Sequence, residues 1–150
     1  MDLEKIVKNA GVKVDNLIYE ELTGIVYLKI QEIVKVAVIL GEYTRSDVLD
    51  EKIMNLAISE YNLPCKTKIK DLSIDKTEFK NVSKEKLEDY NYHLKLTDDS
   101  VITLQKAVEC YVIDLLKLSK KECKKRNNTD KIEPKDINAV RRLIDECYFY

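Results

Sequence analysis

Four cysteines, one histidine and a few adjacent carboxylates are the side chains of this 150-residue chain with the chemistry to form a reactive centre. Cys65, Cys110, Cys123 and Cys147 show no CxxC spacing, and only His93 is at hand to complete a ligand set, so no metal site is expected. The cysteines read as reduced thiols of an intracellular protein. Glu20 with Glu21, and Asp98 with Asp99, fall at expected helix starts. There a carboxylate is stabilised by the helix dipole, which explains them better than a catalytic pair does. His93 reads as a loop histidine. The chain has no glycine-rich phosphate loop and no nucleophile beside a base, so neither an enzyme nor a cofactor is expected.

Positive charge is the remaining chemistry. Lys117, Lys120, Lys121, Lys124, Lys125 and Arg126 form a basic cluster interrupted by the single carboxylate Glu122. Such a cluster is either a solvated helix end or a contact for nucleic acid. The formal net charge of -1 hides a division between the halves. Residues 1–62 carry 7 Lys+Arg against 11 Asp+Glu, and residues 63–150 carry 19 against 16.

The elements that must position these charges are helical. The chain is 45% hydrophobic and 35% charged, with three glycines and two prolines, which leaves little material for hairpins or a barrel. No uninterrupted apolar run reaches the roughly 18 residues of a membrane span, and the opening Met-Asp-Leu-Glu-Lys is too charged for a signal peptide. Asp2 is placed to cap a short helix with apolar positions Leu3, Ile6, Val7 and Ala10, and Gly11 suits a left-handed exit. A long helix is predicted from Asn16 to about Leu40, apolar around most of its circumference, with polar residues mostly at Lys29, Gln31, Glu32 and Lys35. A helix of that kind needs partners on more than one side.

A loop over 44–47 then leads to a short helix carrying Val48, Leu49, Ile53, Leu56 and Ala57. Residues 63–80, with Pro64 and alternating lysines, read as a surface linker between a first unit, 1–62, and a second, 81–150. In the second unit Ser83 is expected to cap a short helix through Tyr90, and His93 to Thr97 to form a loop or short extended segment. Asp98, Asp99 and Ser100 start a long helix carrying Leu104, Val108, Tyr111, Val112 and Leu115, and Pro134 opens the last helix.

Short, long, short, twice over, resembles the histone fold. Gly11-Val12-Lys13-Val14-Asp15-Asn16-Leu17-Ile18-Tyr19-Glu20-Glu21 resembles the first loop and long-helix start of histone H-four. Leu94-Lys95-Leu96, Leu104-Gln105 to Glu109 with Tyr111, and Pro134-Lys135-Asp136-Ile137 with Arg141-Arg142 resemble histone H-three. Two such units fused without basic tails are similar to the histone doublets of nucleocytoplasmic large DNA viruses. The resemblance implies an all-α chain of two histone folds paired as an intramolecular handshake heterodimer. It also implies duplex DNA as partner, compacted in nucleosome-like particles, and a location in the viral factory, the host nucleus or the virion.

By that resemblance, DNA-contacting residues are Lys95 with Arg45 at one composite loop site, and Lys13 with Lys125, Arg126 and Lys131 at the other. Lys5, Lys8 and Lys84 on the paired first helices form a third. Self-association through the second fold would use Cys123, Arg126, Asp136, Ala139 and Leu143, and a second doublet resembling the other two core histones would complete a particle. The chain departs from the family's basic residues at Val14, Ser46, Asp47 and Thr129. The alternative is a histone-fold interaction scaffold with little or no DNA binding.

Overall fold

A computed structural model describes residues 1–61, 63, 67–127 and 131–149, and the side chains of these apart from 126, 127 and 145–149. Among the described residues six helices dominate: α1 (Glu4–Ala10), α2 (Ile18–Tyr43), α3 (Glu51–Tyr61), α4 (Lys76–Tyr90), α5 (Asp98–Asn127) and α6 (Pro134–Phe149). Four two-residue strands lie between them: β1 (Lys13–Val14), β2 (Val48–Leu49), β3 (Lys95–Leu96) and β4 (Lys131–Ile132). Among the described residues no helix is long and apolar enough to cross a membrane.

The apolar spacing explains the long helices. Ile18, Leu22, Ile25, Val26, Ile30, Ile33, Val34, Ala37 and Val38 are buried along α2, which at 1.5 Å per residue runs about 39 Å. Leu104, Val108, Tyr111, Val112, Leu115 and Leu116 do the same along α5. The two helices touch each other, and each also receives the short first helix of the opposite half, α1 against α5 and α4 against α2. Exchange of short helices accounts for apolar residues around so much of each rod. One hydrophobic cluster therefore runs through both halves.

The strands join the halves a second time. β1 pairs in parallel with β4, Lys13 opposite Lys131, and β2 pairs in parallel with β3, Val48 opposite Lys95. Each bridge takes one loop from either half. These loops were expected without regular pairing, apart from the extended reading of residues 93–97.

Several boundaries differ from expectation for local reasons. Helix α4 begins at Lys76 rather than at Ser83, because Asp75 accepts from the Thr77 and Glu78 amides and Phe79 is fully buried. Ser83 lies inside that helix, its hydroxyl donating to the Phe79 carbonyl. The segment expected as linker thus gives residues 76–80 to a helix. Val48 and Leu49 belong to β2 and not to α3, whose start is held by Asp50 accepting from the Ile53 amide at 2.9 Å. Thr97, one residue ahead of Asp98, accepts from the Ser100 amide at the start of α5.

Lys29, read as part of a polar face, is buried. Its ammonium donates to the Tyr61 hydroxyl at 2.9 Å and lies 5.0 Å from the centre of the Tyr111 ring and 5.3 Å from that of Tyr61. Tyr61 in turn donates to Glu32. Aromatic faces and a shared hydroxyl thus replace water around the charge.

The cysteines also differ from the reduced set expected. Cys110 is disulfide-bonded, and the Cys123 thiol is buried. Cys65 and the Cys147 side chain lie outside the described residues. A helix face that draws Cys110 to within 2.9 Å of the Thr67 carbonyl was not visible in cysteine spacing.

Gly41 lets the end of α2 lie against β2. A Cβ there would stand 2.5 Å from Leu49 Cδ2, and Leu49 is fully buried, so its side chain must shift within the packed core. Gly41→Ala is expected to lower stability by about 1–2 kcal/mol despite the gain in helix propensity, because overpacking outweighs it. A urea titration followed by circular dichroism checks this.

Candidate nucleic-acid interface

The two bridges set where loop cations can stand. At β2–β3, Lys95 is exposed opposite Val48, and its amide donates to the Asp47 carbonyl. Arg45, also exposed, closes the end of α2 in the left-handed region, with φ of +55°. Its amide donates to the Glu42 carbonyl, and the Ser46 amide donates to the Gly41 carbonyl. Helix exits of this shape favour glycine, so an arginine here carries backbone strain.

Replacing Arg45 with glycine separates the two effects. Stability is expected to rise by about 0.5–1 kcal/mol as the strain is relieved. On the DNA contact that the sequence resemblance implies for Arg45, duplex affinity is expected to fall about threefold. Thermal melting and fluorescence anisotropy read the opposite signs.

A cleft of about 360 Å³ opens beside this bridge, lined by Lys80, Lys84, Leu87, Glu88, Tyr92, Leu94, Lys95 and Leu96. Lys80 is occupied by Asp98, at 2.9 Å. The hydrogen bond and charge of Lys80, with a smaller contribution from Lys84, hold the exposed Asp98 carboxyl below the usual aspartate range. Lys84 and Lys95 have no ion pair among the described residues and share the cleft wall. Lys84, expected with Lys5 and Lys8, lines this cleft with Lys95. Tyr92 stacks on His93 with ring centres 4.2 Å apart at the exposed turn above.

At β1–β4, Lys13 and Lys131 stand in register and both are exposed. On neighbouring strands such residues lie about 4.8 Å apart. The bridge is fixed by the Asp15 amide donating to the Ile132 carbonyl at 2.9 Å, and by the Cys123 thiol donating to the Lys131 carbonyl at 3.2 Å. Lys124 and Lys125 are exposed at the nearby end of α5. The Arg126 side chain and Thr129 lie outside the described residues. Lys5 and Lys8 are exposed on α1. The start of that segment is tied to α4 by the Met1 amino group and Glu78, 3.0 Å apart.

The residues expected to carry self-association are divided. Cys123 and Asp136 face the interior, and Asp136 accepts from the Glu133 amide at 3.0 Å to start α6. Ala139 is half-buried, and Leu143 is exposed. Leu143 shares an open groove of about 570 Å³ with Leu118, Lys121, Glu122, Lys125, Val140 and Ile144. Leu118 comes from α5, while buried Val140 and half-buried Ile144 share α6 with Leu143; their meeting in one groove was not read from sequence.

A second missed group lies on α5. Buried Glu109 accepts from the Ser73 amide at 2.6 Å, the Ile74 amide at 3.2 Å and Gln105 Nε2 at 2.7 Å. Gln105 also donates to the Ile74 carbonyl, and Thr67 donates to Asp114 at 2.5 Å. Polar residues at 105, 109 and 114 thus strap the segment before α4 onto the helix. Comparison with protein-family models and with curated proteins finds no match for this chain.

Proposed function

We propose that the chain is a doublet of two histone folds, paired within one molecule, that binds duplex DNA without reading its sequence and compacts it in nucleosome-like particles. The observation that carries this reading is the pair of parallel bridges. Each joins a loop of one half to a loop of the other and leaves lysine outward, Lys13 with Lys131 at one and Lys95 beside Arg45 at the other. Two separated sets of cations on a rigid helical frame suit successive approaches of a phosphate backbone, and the same residues offer no pattern for base edges. Self-association engages the α5–α6 groove, and a second doublet of the other two histone types completes the particle. The setting is a viral factory, nucleus or virion.

A second reading is favoured by the acidic residues near the lysines. Asp47 and Glu88 flank the Lys95 site, and the whole chain carries a net charge of -1. A histone-fold interaction scaffold would keep the handshake and display protein-binding surfaces.

Binding of the purified chain to two duplexes of unrelated sequence, each about 30 base pairs at about 50 mM salt, tests the first reading. Equal affinities are expected, as for backbone recognition. A preference above about tenfold for one sequence would contradict it, since a single good base contact gives that much.

A further inference from the structure

The two ends of the molecule are related by their place in the fold. The bridges make residue 13 the counterpart of 95 and residue 48 the counterpart of 131, and α3 follows α2 as α6 follows α5. Carried along the helices, Glu42 takes the place of Lys125, and Glu60 that of Leu143. Both ends expose apolar side chains. At the α5–α6 end these are Leu118 and Leu143, 42% and 54% exposed; at the α2–α3 end they are Ile39, Tyr43 and Leu56, 56%, 88% and 49% exposed.

The charges around them differ. The α5–α6 groove is rimmed by Lys121 and Lys125 against a single Glu122. The α2–α3 end is mixed, exposing Glu42 with Lys35 on α2 and Glu60 with Lys52 on α3. Glu42 accepts from Asn91 Nδ2 at 3.1 Å.

We propose that the occupant of the α5–α6 groove is the α2–α3 end of a second copy of this chain. Doublets then join head to tail. Groove against groove, a two-fold arrangement would gather four lysines, Lys121 and Lys125 of both copies, against two glutamates, Glu122 of each. Head to tail, the same lysines meet Glu42 and Glu60 while apolar surface is buried from both sides. A contact between unlike surfaces leaves one of each free at the ends, so assembly continues past two unless the rotation closes a ring. The acidic balance of the first half acquires a use: it is the mating face for the basic end of the second.

This rests on the self-association proposed above, and duplex binding is measured separately so that the two can fail independently. Sedimentation velocity of the full chain, in a concentration series without DNA, is the test. Average mass is expected to climb beyond two copies with concentration and to fall back as salt is added. E42K/E60K is expected to abolish association, as is K121E/K125E, and mixing the two variants is expected to restore it, because each then offers the partner's missing sign. Helical circular dichroism equal to wild type shows that these exposed changes leave the fold intact. A mass that stops at two copies and survives E42K/E60K would overturn the proposal in favour of the two-fold arrangement. A single-copy mass throughout would overturn it as well.

Discussion

Changing Lys13, Lys95 and Lys131 to glutamate together is expected to lower duplex affinity on the order of 10²-fold at physiological salt. All three are exposed on the bridges. Each lysine on a phosphate releases roughly one condensed counterion, so the salt slope should become shallower by about three. K13E/K131E and R45E/K95E should each give part of the loss, since the cations stand in two sets. Fluorescence anisotropy across the variants reads this directly. A triple variant that binds within about threefold of wild type would place DNA elsewhere on the molecule or nowhere on it.

Glu109→Leu is expected to cost about 3–5 kcal/mol in urea denaturation. The substitution keeps volume in the core but leaves the Ser73 and Ile74 amides without their acceptor and Gln105 Nε2 with one of its two, and each buried donor left unpaired costs about 1–3 kcal/mol. Glu109→Gln keeps one oxygen for the amides and should lose less, about 1–2 kcal/mol. Released from α5, residues 67–74 should also exchange their amide hydrogens faster than the rest of the chain. A cost below about 1 kcal/mol would mean that the strap is incidental.

The helices were legible because burial repeats with the helical period over many residues, as along 18–41 and 101–116. Pro134 and Gly11 marked their ends by backbone constraint alone. Contacts between residues far apart in sequence left no comparable trace. Two-residue strands such as Lys13–Val14 have no period to detect, and their pairing with Lys131–Ile132 exists only once α1 and α5 have met.

Lys29 and Glu109 were misjudged or passed over for the same reason, since a charged residue on an apolar helix looks exposed until its partner is known. For Lys29 the partners are the rings of Tyr61 and Tyr111, and for Glu109 they are backbone amides at 73 and 74. Of the proposed interface, the placement of Lys13, Arg45, Lys95 and Lys131 beside the two bridges was expected from a family resemblance rather than from periodicity. The groove at Leu118 and Leu143 was not, because exposure of an apolar residue is decided by which helix covers its face.

A salt titration of wild-type binding to one duplex tests DNA recognition by these loops most directly. The logarithm of affinity is expected to fall linearly with the logarithm of salt concentration, with a slope of about -3 or steeper for three or more phosphates neutralised. Binding that is absent at about 50 mM salt, or that does not change as salt rises, would contradict it and favour the interaction scaffold.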